Sequence, residues 1–384
     1  MDLMEYQAQQ LFMAAGLPVK KGVVAADADA LVKLVHEQGM AYPLVLKAQV
    51  QVGGRGKAGG IKFAENDDEL KACAEAILGM DIKGHIVKLV MAVEKASVAR
   101  EMYLSIMLDR QSKGPVIMFC PQGGMEIENL TKEHPELMVK TFVDPRMGIS
   151  GYTGQYLATK AGLDKEAGKQ LQKLLLNLYK CFMDNHCTLT EINPLVVDTE
   201  GNICALDGKI SIDDSAVSIH ENLAAFKVDI PGDPIVEEAK KNNFFCVPCE
   251  PDGTIAVICN GSGMLMNTID RVSGKGFKVC LALDLGGGAT AARVKEAVRI
   301  VSEYDKVGAM LINVFGGITR CDEVATGIKE AMEENNITTD MILRLEGSNK
   351  EAGAAIAATI PKVIHAEDLN EGLDLLVERM GAQA

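Results

Sequence analysis

The sequence contains no tryptophan, and aromatic residues make up only 4% of its 384 positions. No apolar run approaches the ~18 residues that a helix needs to span a bilayer, which excludes a helical membrane protein. Positive charge is scarce: 39 Lys and Arg stand against 53 Asp and Glu, a net charge of −14. Such a chain repels a phosphate backbone over most of its surface, so general nucleic-acid binding is excluded. The start, Met1-Asp2-Leu3-Met4-Glu5, has neither a basic region nor an apolar core. No signal or transit peptide is visible, and a cytoplasmic location is expected. Low-complexity tracts are missing too. What remains is a globular chain of two or three domains at ~150 residues each. With cations so few, an anionic ligand has to meet a local basic cluster.

The ten cysteines do not form a disulfide framework. Cys120, Cys204, Cys259 and Cys280 sit in apolar runs, where a free thiol acts as a small hydrophobe. Cys246-Val-Pro-Cys249 has no second pair at zinc spacing and is expected to precede a strand rather than open a helix, so neither metal nor redox work is assigned to it.

The C-terminal third is the most regular part. Apolar runs at Thr254 to Cys259, Phe277 to Leu283, Val307 to Asn313, Met341 to Leu345 and Val363-Ile364 alternate with helical stripes. Val294, Ala297, Val298 and Val301 form one stripe; Val324, Ile328, Ala331 and Met332 form another; Leu369, Leu373, Leu376, Val377 and Met380 form the last. Strands alternating with helices predict a parallel sheet covered on both faces, a doubly wound α/β domain. The N-terminal part opens with a helix striped by Met4, Ala8, Leu11, Phe12 and Ala15. Strand-like pieces then follow closely with few crossover helices, which predicts antiparallel α+β subdomains. The polar stretch from Ser211 to Pro234 reads as irregular. The domains are expected at 1–235 and 246–384, with a linker at about 212–245.

The richest motif is Val52-Gly53-Gly54-Arg55-Gly56-Lys57-Ala58-Gly59-Gly60, with Lys47 before it and Lys62 after. Glycines let a backbone approach a phosphate closely, and Lys47, Arg55 and Lys57 add the charge the chain otherwise lacks. The spacing is not that of a P-loop, and a strand follows rather than a helix, so a strand–loop–strand flap over a triphosphate is expected. A second constellation is Thr190-Glu191-Ile192-Asn193-Pro194-Leu195 with Leu206-Asp207-Gly208-Lys209. A hairpin through Thr199-Glu200-Gly201-Asn202 brings Asn193 and Asp207 together, and these hard oxygen donors suit Mg²⁺. Glu94 and Glu101 lie on and beyond a strand end, as acceptors for a ribose or base.

In the C-terminal domain the strands end in Asn260-Gly261-Ser262-Gly263, Asp284-Leu285-Gly286-Gly287-Gly288-Ala289-Thr290, Phe315-Gly316-Gly317-Ile318-Thr319 and Glu346-Gly347-Ser348-Asn349. In a parallel sheet these turns share the carboxyl edge, where ligands bind. No nucleophile stands out among them; Cys321, near a helix start, is expected to be buried.

Together, from Glu5-Tyr6-Gln7-Ala8 through these motifs, the chain closely resembles the β subunits of the succinate–CoA ligases, ADP- or GDP-forming. The resemblance implies an N-terminal ATP-grasp fold followed by a doubly wound, flavodoxin-like CoA-ligase domain. It also implies Mg²⁺ and ATP/ADP or GTP/GDP as substrate nucleotide. By resemblance Lys47, Gly54, Arg55 and Gly56 contact the nucleotide phosphates, and Glu94, Ser97 and Glu101 the base and ribose. Asn193 and Asp207 resemble the metal ligands, and Glu191 the acid that meets a phosphohistidine. Asn260, Gly317, Ile318 and Thr319 resemble succinate contacts. In this family the phosphorylated histidine and most of the CoA site belong to an α subunit, in an αβ or α2β2 assembly. None of His36, His85, His134, His186, His220 and His365 occupies a glycine-rich strand-end turn that would hold a phosphorylated imidazole. An α partner is therefore expected, working with succinate, nucleotide and CoA in the tricarboxylic acid cycle. The competing readings are a malate- or citrate-using acid–CoA ligase subunit, a non-catalytic nucleotide-binding regulator, and a flavodoxin-like electron carrier.

Overall fold

The computed structural model describes residues 1–124, 127, 131–132, 134–217, 219–230 and 232–381. The chain divides into two compact units, Met1–Pro231 and Gly232–Ala384.

Unit one holds three antiparallel sheets among its described residues, one of them a two-stranded ladder. Strands β1 (Gly22–Ala25), β2 (Leu44–Gln49) and β3 (Ile61–Ala64) precede a short ladder of β4 (Asp81–Ile82) and β5 (His85–Ile86), followed by β6 (Leu89–Glu94). The first sheet runs β1-β6-β2-β3. Its covering helices, Ala28–Glu37 and Asp67–Ile77, begin at Asp27 and Asn66, whose side chains accept from the Ala30 and Glu69 amides in N-cap geometry. They bury Leu31, Val35, Leu70 and Ile77 against Leu44, Leu46 and Ala48. Neither helix was expected. Their apolar stripes are only two or three residues long, so the caps were the readable signal.

The second sheet is built from β7 (Val98–Asp109), β8 (Gly114–Cys120), β9 (Val139–Phe142), β10 (Cys187–Asp198), β11 (Ile203–Ala205) and β12 (Gly208–Ile212). Its order is β11-β10-β7-β8-β9, and β12 also pairs with β10. The helix Lys165–Asp184 lays Leu171, Leu174, Leu175 and Leu178 on this sheet beside Ala8 and Phe12 of the first helix, Glu5–Ala14. The stretch expected to be irregular carries the short helices Asp214–Val217 and Glu221–Phe226.

Unit two opens with the helix Pro234–Lys241, which falls within the expected linker. Asp233 caps it, accepting from the Ile235 amide, and Pro234 fills its first turn, where a missing N–H costs nothing. Strands β13 (Phe245–Pro248), β14 (Ile255–Cys259), β15 (Val279–Asp284), β16 (Ala309–Gly316), β17 (Asp340–Gly347) and β18 (Val363–Ala366) run in the order β13-β15-β14-β16-β17-β18. Without β13 the order is second-first-third-fourth-fifth, the flavodoxin-like arrangement. Helices Ser262–Ser273 and Leu369–Met380 cover one face, and Ala291–Ser302, Cys321–Asn335 and Lys350–Ala357 the other. The antiparallel edge strand β13 was not foreseen and contains most of the Cys-Val-Pro-Cys motif. An edge tolerates Pro248, which has no N–H to give. Cys246 is buried and Cys249 exposed, both as free thiols. Among the described residues no metal-binding cluster of His, Cys, Asp or Glu occurs, and no helix is long and apolar enough to cross a membrane.

Candidate active site

The glycine loop joins β2 to β3 as an antiparallel hairpin. Its turns are closed by backbone bonds from Ala58 N to Gly54 O, Gly59 N to Gly56 O and Gly60 N to Arg55 O. Gly54, at φ +82°, uses the left-handed freedom of glycine. A side chain on Gly60 would come within 2.8 Å of Ile82 and 3.1 Å of Ala48.

Alternation along the flanking strands decides what faces this loop. On β2, Leu44, Leu46 and Ala48 enter the core under the helices, so Lys47 and Gln49 point the other way. On β10, Thr190 and Ile192 are buried, leaving Glu191 and Asn193 on the opposite face. The hairpin through β11 then sets Asp207 beside Asn193, the Asn193 amide donating to the Asp207 carbonyl at 3.1 Å. The result is a cleft of about 260 Å³, lined by Gly53, Gly54, Arg55, Gly56, Glu191, Asn193, Asp207 and Lys209, with Glu5 at its base.

Four charges meet there. Lys47 Nζ donates to Glu5 Oε1 at 2.6 Å and to the Leu206 carbonyl at 3.0 Å. Arg55 Nη1 donates to Glu5 Oε2 at 2.6 Å, and Nη2 grips Asp207 Oδ1 and Oδ2 at 3.1 and 2.9 Å. The expected cationic flap is therefore corrected: Lys47 and Arg55 form a neutral cluster with Glu5 and Asp207, while Lys57 is exposed. Burial alone would push the Glu5 carboxyl up, but Lys47 and Arg55 outweigh it and hold it below its ordinary value. Burial, helped by the Glu5 charge, pushes the Asp207 carboxyl above its ordinary value against the pull of Lys47 and Arg55. Lys47 is desolvated as well, yet Glu5 and Asp207 keep its ammonium more firmly protonated than usual.

Asn193 Oδ1 accepts from the Gly124 amide at 2.9 Å, and Glu191 faces Tyr103, whose hydroxyl lies 3.4 Å away. An amide oxygen and a carboxylate from adjacent backbones suit a hard divalent cation that completes its shell with phosphate and water. Glu94, Ser97 and Glu101 do not line this cleft. Glu94 closes β6 and accepts from the Ala41 amide at 3.2 Å; the Ser97 carbonyl accepts from Thr199 N; Glu101 lies on β7 opposite Val196. None of the six histidines lines the cleft.

In unit two the strand-end turns gather at the carboxyl edge. The Asn260 side chain locks β14 to β16 by donating to the Phe315 carbonyl and accepting from the Phe315 amide, both at 2.9 Å. Thr319 is 2% exposed, and its Oγ1 accepts from the Gly288 and Ala289 amides at 3.1 and 3.2 Å. Its hydroxyl thus shapes the glycine turn, while Ile318 is 90% exposed. Asp284 closes β15 and opens the glycine turn after it. It accepts from Gly261 N at 2.7 Å, Ser262 Oγ at 2.7 Å and Gly286 N at 2.8 Å, and so sets two turns at once. Cys321 is buried, and burial raises its thiol pKa.

Residues 2–197 match the profile of the ATP-grasp domain, and residues 258–370 that of CoA-ligase. The ADP-forming succinate–CoA ligase subunit beta of Desulforapulum autotrophicum is 40% identical over 365 residues, covering 93% of this chain and 94% of its own. That of Herpetosiphon aurantiacus is 41% identical over 360 residues at the same coverage. The chain belongs to the succinate–CoA ligase β-subunit family. The ATP citrate lyase of Methanothrix soehngenii, solved with citrate and coenzyme A, has a TM-score of 0.72 over 99% of both chains at 15% identity, a likeness of fold. For this family member the ATP-grasp match lies within the antiparallel unit one and the CoA-ligase match within the doubly wound unit two. Sequence reasoning passed over Glu5 and Asp284. Both stand in recognisable motifs, but only long-range contacts reveal what they hold.

Proposed function

We propose that this chain is the β subunit of a succinate–CoA ligase, binding Mg-nucleotide in the unit-one cleft and succinate at the carboxyl edge of unit two. The observation that carries the reading is the convergence of the Gly54-Arg55-Gly56 loop, Glu191, Asn193 and Asp207 on one cleft, with Lys47 tied to it through Glu5. In a family that interconverts succinate, CoA and NTP with succinyl-CoA, NDP and phosphate, that convergence serves phosphoryl transfer by positioning and charge neutralisation. The loop amides and the cations Lys47 and Arg55 receive the phosphates. Asn193 and Asp207 would hold Mg²⁺, which would supply charge neutralisation to the phosphates. Glu191, on the same face as Asn193, meets an incoming phosphorylated imidazole. Because the chain's own histidines lie away from the cleft, that imidazole comes from an α subunit, which also brings CoA. Glu94, Ser97 and Glu101 take the base and ribose. Asn260 and the Gly317-Ile318-Thr319 turn take the acid.

The test is co-expression with the candidate α subunit, followed by turnover with ATP and GTP against succinate, malate and citrate. Succinate-dependent turnover is expected. Turnover with malate or citrate alone would make this a related acid–CoA ligase, and Mg-nucleotide binding without turnover would make it a regulator. Asp207→Ala is expected to abolish Mg-nucleotide-dependent phosphorylation of the partner, and retained phosphorylation would remove Asp207 from the metal site.

A further inference from the structure

We propose that Glu5 is the positioning residue of the phosphate site: it retains Lys47 and Arg55 in the cleft while Asp207 exchanges Arg55 for the metal of an incoming nucleotide. The inference rests on the assignment of Lys47 and Arg55 to phosphate and of Asp207 to metal made above.

The two carboxylates of the cluster are not equivalent. Glu5 is 2% exposed at its side chain, and its oxygens are divided between Lys47 and Arg55 at 2.6 Å each. It starts a helix, where a carboxylate is favoured, and the backbone around it is tied down on both sides. Leu3 N donates to Ile210 O, and Tyr6 N donates to the Gln49 side chain. Asp207 is 31% exposed at its side chain and lines the cleft, held there by one guanidinium nitrogen. The outer carboxylate is free to swing to a cation; the inner one is not.

Arg55 has a matching asymmetry. Its Nη1 is bound inward to Glu5 and the Ala48 carbonyl, and its Nη2 outward to Asp207. When Asp207 moves to a divalent cation, Nη2 becomes available to a phosphate oxygen while Nη1 stays fixed. The exchange leaves two buried cations with one buried counter-charge, Glu5, and the phosphate supplies the rest. Without the Glu5 charge, Asp207 would be the one remaining carboxylate bound to the pair, and releasing it would leave both cations to the phosphate alone. Glu5 therefore sets the coupling between metal and nucleotide binding.

The experiment measures ADP affinity of the full chain by calorimetry, with and without Mg²⁺, for wild type, Glu5→Gln, Glu5→Asp and Lys47→Met. Circular dichroism confirms that each variant is folded. In Glu5→Gln the metal-free affinity is expected to hold or rise, since the cleft loses a negative charge, while the gain in affinity on adding Mg²⁺ falls about tenfold. Glu5→Asp keeps the charge, and its Mg²⁺ gain is expected to stay within about twofold of wild type; this arm decides the matter should Glu5→Gln not fold. An unchanged gain in Glu5→Gln, equal weakening of both its affinities, or a collapse of the gain in Glu5→Asp would each overturn the proposal. Lys47→Met separates the parent assignment: unaltered ADP binding there would remove Lys47 from the phosphates whatever Glu5 does.

Discussion

Replacing Asp284 with alanine removes the acceptor of three hydrogen bonds: from Gly261 N, from Ser262 Oγ and from Gly286 N. A hydrogen bond to a charged group contributes ~1.5–3 kcal/mol, so the sum is bounded near ~4.5–9 kcal/mol. The realised loss is smaller, because Asp284 is 8% exposed at the sheet edge and water reaches part of the space. Breaking a buried charged network costs ~3–5 kcal/mol, and the low end of that range is expected. Asp284→Asn keeps one oxygen for the two amides and offers an N–H to Ser262 Oγ, so it is expected to lose only about 1 kcal/mol. Urea unfolding of the full chain followed by circular dichroism reads the transition. Hydrogen exchange over 255–262 and 279–288 locates it in unit two. An Asp284→Ala chain within about 0.5 kcal/mol of wild type, with those amides still protected, would refute the reasoning.

Thr319→Val preserves shape but leaves the Gly288 and Ala289 amides without their acceptor. A loss of about 2 kcal/mol and a raised KM for succinate in the assembled enzyme are expected, read by unfolding and steady-state kinetics. Alkylation of the native chain at pH 8 is expected to modify the exposed Cys249 and spare Cys321, Cys259 and Cys246. Burial lifts the last two to about 12, and mass spectrometry of the digest identifies the labelled thiols. The Asp322 carboxyl, held by Arg320 and Asn349, is lowered to about 2 from 3.8. A depressed carboxyl stabilises the fold above its unfolded value and loses that contribution as pH falls toward 2. Asp322→Asn is therefore expected to flatten the acid limb of the stability profile between about 4 and 2, measured by unfolding across pH.

Much of this molecule was legible locally. The unbroken apolar runs and three-four stripes of the C-terminal third gave its parallel strands and helices, because period and burial are set by neighbouring residues. The hairpin nature of the glycine loop followed from the strand after it. The turn Thr199-Glu200-Gly201-Asn202 placed Asn193 beside Asp207. The edge strand β13 was missed because four residues ending in Pro248 carry little pattern, and the helices over β2 were missed because their stripes are short.

What the sequence by itself determined is which residues share a strand face, a loop or a sheet edge, since alternation and turn chemistry act over a few positions. What the tertiary structure alone decided is which charges neutralise one another. Lys47 meets a carboxylate 42 positions away, and Arg55 meets two, at 50 and 152 positions. No periodicity links those residues. They pair because burial in one cleft makes an unpartnered charge too costly, and only the folded chain selects the partners.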